Sequence, residues 1–172
     1  IDQEALYKLY ALADFVHLRQ HIEAMFKGEH INRSEDHAVL HVAQRPPRDA
    51  AIGGADIAAQ VLTERARMLD FAHHVRDGRI VGSAGKPFTL IVNIGIGGSD
   101  LGPAMAVLAL EQFTAGAPRV EFVSNVDGCH LYDVLKGADA ATTLFIVASK
   151  TFTTLETLTN ARTARAWLVG KL

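Results

Sequence analysis

The densest chemistry in this chain lies in the six residues Ser149-Lys150-Thr151-Phe152-Thr153-Thr154, which bring four hydroxyls and one ammonium together between an apolar run and a helical pattern. Hydroxyl donors, a cation and the unpaired N–H groups of a helix start all favour an anion, so the segment reads as an anion cradle. A plain helix N-cap explains one or two of these hydroxyls but not their density. Threonine and phenylalanine are weak formers of right-handed helix, which implies a rigid loop. A second loop, Gly95-Ile96-Gly97-Gly98-Ser99-Asp100-Leu101-Gly102-Pro103, also follows an apolar run and opens a helix. Its glycines let the backbone approach a ligand, and Pro103 suits a first helical turn. The bland alternative is a tight strand-to-helix turn. A dinucleotide fingerprint fails, because G-x-G-x-x-G counted from Gly95 needs glycine where Asp100 stands. A Walker A loop fails too, since Gly85-Lys86 is followed by Pro87. A single phosphomonoester fits these short, hydroxyl-rich sites better than a dinucleotide.

The elements that must position the loops follow from hydrophobic spacing. Leu90–Ile94, Val120–Ser124 and Leu144–Ala148 are short apolar runs bounded by glycine, proline and polar turns, and they read as buried strands. Helical patterns over Leu101–Phe113, His130–Lys136 and Leu155–Val169 alternate with them. The order β-α-β-α-β-α implies a doubly wound parallel sheet with right-handed crossovers. Ligands of such sheets bind outside the carboxyl ends of the strands. The two loops follow the first and third strands, so they are expected to converge on one ligand. Three strands are few for this class, and the expected α/β fold is an incomplete sheet.

Upstream of the sheet the chain reads as helical. Leu6, Leu9, Leu12, Ala13 and Val16, continued by Ile22, Met25 and Phe26, predict one helix over residues 3–27 with Gly28 as its stop. Ser34-Glu35-Asp36 has the composition of a helix start, and Asp36–Arg45 is open between helix and short strand until Pro46-Pro47 ends it. Ala50–Ala55 reads as a small-residue loop. Asp56–Asp77 predicts a helix with Asp56 as N-cap, Ile57, Val61, Met68, Ala72 and Val75 on its inner face, and Glu64, Arg65 and Arg67 on a solvated one. The expected division is a helical segment over 1–85 and an α/β domain over 86–172.

Composition narrows the function classes. The 172 residues carry 17 Lys plus Arg against 19 Asp plus Glu, a formal charge of −2, so no basic excess exists to bind a nucleic acid. The longest uncharged apolar stretch, Pro87–Ser99, is too short to span a bilayer. The single cysteine, Cys129, has no internal disulfide partner, which suggests a reducing, cytoplasmic setting. With no base partner in sight it reads as a small buried residue, not a nucleophile. Of eight histidines, His73-His74 and His37 with His41 are the closest sets, and neither has metal-site spacing. Trp167 and Phe113 read as core. The chain begins at Ile1 without a signal pattern and ends at Leu172 directly after a helical pattern, as a piece of a longer protein would.

At the two loops the sequence resembles the phosphoglucose isomerase family. Asn93 through Pro103 is similar to that family's first glycine loop, and Ser124-Asn125-Val126-Asp127-Gly128 and Ser149–Thr154 with Glu156-Thr157 follow in the family's order. Asn32 through Arg45 is similar to the segment ahead of the family's α/β domain. Departures are few: His37 stands for the usual Arg, Gln44 for Leu and Cys129 for Thr. The resemblance implies a sugar-isomerase-type fold and reversible conversion of glucose 6-phosphate and fructose 6-phosphate through a cis-enediol, without metal, nucleotide or other cofactor. It implies that Ser149, the Lys150 backbone, Thr151 and Thr154 hold the phosphate, with Gly98 and Ser99 lining the sugar side. The family's proton-transferring Glu, its ring-opening His and Lys and its intermediate-stabilising Arg belong to segments beyond Leu172, so no catalytic residue is expected in this chain. A homodimer is implied as well.

Two rivals come from other classes. A non-catalytic phosphosugar-binding regulatory domain should carry a DNA- or partner-binding segment, and the helical leader has no basic recognition helix. A nicotinamide-dependent oxidoreductase is disfavoured by Asp100 and by Asn125, which stands where an acid would grip the ribose.

Overall fold

A computed structural model describes residues 1–45 and 52–172. The chain divides into two compact units, residues 1–69 and 70–172.

The first unit is helical at its start. Asp2 caps α1 (Gln3–Phe15), accepting a 2.8 Å hydrogen bond from the Ala5 N–H. The single helix expected over residues 3–27 is instead two, because His17 adopts φ 52° and separates α1 from α2 (Leu18–Lys27). The Val16 and His17 N–H groups close on the Leu12 and Asp14 carbonyls, both at 3.0 Å. Phe15, Val16 and His17 are all weak helix formers, but no glycine or proline marks the break in the sequence. Gly28, at φ 78°, ends α2 as expected. The helix start read at Ser34 does not form. The Ser34 hydroxyl donates to Asn32 Oδ1 at 2.9 Å, and Asn32 pairs with His37 to close a turn in which Asp36 takes φ 49°. Side-chain bonds of this kind hold the backbone in a local turn that competes with a helix start. Residues 41–44 form a 3-10 turn, neither strand nor α-helix. The stop read at Pro46-Pro47 and the first residues of the loop at Ala50 lie outside the described residues. α3 (Ala55–Arg76) starts one residue before Asp56, so Asp56 is its second residue and not its cap. Val75 on α3 is buried, whereas Met68, expected beside it, is exposed.

The second unit holds the sheet. β1 (Leu90–Ile94), β2 (Arg119–Val123) and β3 (Thr143–Val147) pair in parallel in the order β2-β1-β3. They alternate with α4 (Leu101–Ala109), α5 (Gly128–Leu135) and α6 (Leu155–Lys171), the order read from the sequence. α5 packs on β2, α6 packs on β1 and β3, and the two helices touch each other. Val92, Ile94, Val123, Leu131, Leu135 and Ala164 form the core. Trp167 closes it edge-on against Phe145, with ring centroids 6.1 Å apart. Only the central strand is buried almost throughout; β2 and β3 are half-buried, because each is an edge with one neighbour. α4 is shorter than predicted and buries no residue. Phe113 lies past its end in a 3-10 turn and is 71% exposed, so it is not core.

One turn ahead of the sheet sets up a packing test. Gly82 bonds the Lys86 carbonyl at 2.8 Å, and a Cβ there would strike the Ala141 carbonyl, a backbone atom with no rotamer to yield. Gly82→Ala is expected to cost about 2 kcal/mol, lowering Tm by about 4–8 °C in calorimetry. Gly128, where an added Cβ meets nothing within 4 Å, is the control and should tolerate alanine.

Candidate functional site

The sheet register brings the two candidate loops together. Ile94, the last residue of β1, is level with Val123 on one side and Val147 on the other. The ladder continues one step further, with Ala148 N–H on the Ile94 carbonyl at 2.8 Å and Gly95 N–H on the Val123 carbonyl at 3.2 Å. The glycine loop and the hydroxyl loop therefore leave neighbouring strands at the same level. The chain passes from β1 to β2 on one side and then crosses to β3 on the other. The point where the winding reverses lies between β1 and β3, which is where open α/β sheets form their ligand crevice.

The glycine loop folds back over the end of β1. Asn93 in that strand is 7% exposed, and its amide donates to the Ser99 carbonyl at 3.0 Å. This tie requires a bare backbone at Gly95, where an added Cβ would sit 2.7 Å from the Ser99 carbonyl oxygen. Gly97 takes φ 60°, open only to a residue without a Cβ at little cost, and starts a 3-10 turn through Ser99. Gly98 is exposed with free space above it, and Ser99 is half-buried. Asp100 is buried at the start of α4 and its side chain caps nothing there.

The hydroxyl loop is organised by its own side chains. Ser149 Oγ accepts from the Phe152 N–H at 3.2 Å and lies 3.4 Å from Thr154 Oγ1. Thr151 and Thr153 pair their hydroxyls at 2.6 Å. Phe152 turns the chain at φ 57°, a left-handed conformation that the bonded loop imposes on an aromatic residue. Thr154 stands at the N-cap of α6 in an extended conformation, but its hydroxyl makes no cap bond. The first N–H groups of a 17-residue helix are thus left without a side-chain cap, beside four hydroxyls that pair within the loop. Helix N–H groups without a side-chain cap, set beside hydroxyls, are the kind of donors that suit an anion. Of the expected residues, Ser149 and Thr154 meet directly, Thr151 and Lys150 lie on the exposed side, and Gly98 and Ser99 belong to the loop on the next strand.

Two features went beyond the expected set. Asn93 holds the glycine loop; its signal was an amide inside an apolar strand, where burial without a bond is costly. The third loop, after β2, is also tied down: Asn125 Oδ1 accepts from the Asp127 N–H, and Asp127 caps α5 through the Cys129 N–H, both at 2.9 Å. Cys129 is exposed in that first turn, contrary to its reading as a buried residue. Among the described residues no three His, Cys, Asp or Glu side chains gather as a metal site would need.

Comparison with known proteins decides the family. The family model described as phosphoglucose isomerase matches residues 1–172. The chain belongs to the phosphoglucose isomerase family. It is 55% identical over 174 aligned residues to glucose-6-phosphate isomerase of Corynebacterium glutamicum (strain R), covering 100% of this chain and 32% of that protein. The same enzyme of Roseiflexus sp. (strain RS-1) gives 55% identity with the same coverages. The crystal structure of a glucose-6-phosphate isomerase from Chlamydia trachomatis superposes with a TM-score of 0.78 at 32% identity, over 99% of this chain and 33% of that one. The chain thus spans about a third of the length of these phosphoglucose isomerases.

Proposed function

We propose that this chain supplies the phosphate-binding part of an enzyme that interconverts glucose 6-phosphate and fructose 6-phosphate through a cis-enediol. Ser149, the Lys150 backbone, Thr151 and Thr154 hold the phosphate, and Gly98 and Ser99 line the sugar side. The groups that open the ring and move the proton come from outside residues 1–172, and neither metal nor nucleotide takes part. The observation that carries this reading is the register of β1 and β3, which starts the glycine loop and the uncapped hydroxyl loop side by side at the switch point. The relatives' names, glucose-6-phosphate isomerase, support glucose 6-phosphate as one member of that pair. They give no support to a non-catalytic regulatory domain. The intact enzyme is taken to be a cytoplasmic homodimer with no nucleic-acid or membrane partner; among the described residues no helix is long and apolar enough to cross a membrane. The helical segment is taken as residues 1–85 and the phosphosugar-binding domain as starting at 86.

The test is Thr151→Val in a polypeptide of the relatives' full length that carries this chain. Valine keeps the shape and removes one donor to a charged acceptor, worth roughly 1.5–3 kcal/mol. The value of kcat/KM for the phosphorylated sugar should fall about ten- to a hundredfold, with inhibition by inorganic phosphate weakened by a similar factor. Tm should barely move, because the side chain is exposed. Unchanged phosphate inhibition in a folded variant would show that the anion binds elsewhere.

A further inference from the structure

We infer that Asn160 is a positioning residue for the phosphate loop, acting through the register of α6. This rests on the reading of Ser149–Thr154 as the phosphate site. Asn160 is 4% exposed, and its amide donates to the Asn125 carbonyl at 2.7 Å, joining α6 to the loop that follows β2 across 35 residues of sequence. The buried residues of α6 are Thr157, Asn160 and Ala164, one stripe along the face turned to the sheet. Two of the three offer little grip: Ala164 is small, and the Thr157 hydroxyl is buried with no hydrogen-bond partner. Trp167, edge-on against Phe145, holds the far half of α6 to β3, whereas nearer the helix N-terminus Asn160 makes a directional bond. The Asn160 bond is directional and has a fixed partner, because Asn125 is held to Asp127 and Asp127 to the start of α5.

Thr154 lies six residues before Asn160, less than two helical turns away and at the N-cap of the same helix. Fixing Asn160 therefore fixes the height at which the α6 N-terminus and the hydroxyls of Ser149 and Thr154 meet an anion. The glycine loop has the equivalent device, since Asn93 ties Ser99 from within β1. Each loop of the crevice is thus set by a buried amide that bonds a backbone carbonyl. Loss of the Asn160 bond lets α6 slide relative to β1 and β3, which loosens the hold on phosphate and leaves the groups that move protons unchanged.

The experiment uses the full-length polypeptide with Asn160→Ala and Asn160→Asp, and with Thr157→Val as a neighbour on the same buried stripe. Tm, KM and kcat for fructose 6-phosphate, and the inhibition constant of inorganic phosphate, are measured for each. Both Asn160 variants should raise KM and the phosphate inhibition constant together by about five- to tenfold while kcat stays within about threefold. Thr157→Val should leave phosphate inhibition within about twofold and raise Tm, because it removes an unpaired buried hydroxyl. A merely structural Asn160 would lower Tm and the active fraction without moving KM or phosphate inhibition, and that result overturns the inference. It is overturned equally if Thr157→Val weakens phosphate binding as much, or if neither Asn160 variant folds. A parent enzyme insensitive to phosphate would instead overturn the reading of the loop itself, and this inference with it.

Discussion

Residues 1–172 produced alone will show no turnover of fructose 6-phosphate above the uncatalysed rate. The role proposed for the loops at the carboxyl edge is to hold phosphate, and binding that is equal in ground and transition states leaves the chemical barrier where it was. Ring opening and transfer of a proton between C2 and C1 ask for several acid–base groups around the sugar. Two carboxylates border the loops. Asp100 is buried, and Glu156, in the first turn of α6, is one group where several are needed. The same polypeptide should associate. Leu101, Met105 and Leu108 on α4 are 69%, 68% and 71% exposed, and among the described residues β3 has a free edge beside an apolar groove of about 340 Å³ lined by Phe145, Val147, Leu158 and Leu168. Unpaired strand edges and apolar faces of this kind draw other chains. A coupled assay and size-exclusion chromatography check both points. Turnover would place the acid–base groups within these residues, and a cooperative monomer would mean that the apolar faces need no cover.

What was legible in the sequence is what local chemistry dictates. The three strands appear within one residue of their expected places, because each is a β-branched run closed by a turn residue. The hydroxyl loop was legible for the same reason: its density of donors is a local property. Other features depend on partners distant in sequence. Asn160 bonds a carbonyl 35 residues away, and no spacing rule points to it. The break at His17 comes from three weak helix formers without a punctuating residue, so the apolar stripe of residues 6–26 runs straight across it. Ser34 shows a cap-type residue captured by its own turn. Phe113 and Met68 misled in the other direction, since apolar character marks surface suited to burial without saying that anything in these residues covers it.

Gly95→Ala should be the most damaging single substitution at the crevice. The added Cβ would stand 2.7 Å from the Ser99 carbonyl oxygen and 2.9 Å from the Ser99 Cβ, closer than real Cβ contacts come. Gly95 cannot retreat, because its N–H continues the sheet ladder to Val123 at 3.2 Å. Ser99 must therefore move, and with it goes the 3.0 Å bond from Asn93. That leaves a buried amide without its acceptor, a cost of about 1–3 kcal/mol, and Tm falls accordingly. The functional loss is larger than the loss of one donor at Thr151, since the whole loop carrying Gly98 and Ser99 shifts against the hydroxyl loop on the neighbouring strand. Displacement of about 1 Å in a binding constellation costs on the order of a hundredfold, so kcat/KM in the full-length polypeptide should fall at least that far. Gly102→Ala is the matched control: an added Cβ there meets nothing within 4 Å, and alanine in a helix is favourable by about 1 kcal/mol over glycine. Parent-like kcat/KM in a folded Gly95→Ala would show that the close approach of Ser99 to β1 plays no part in binding the sugar phosphate.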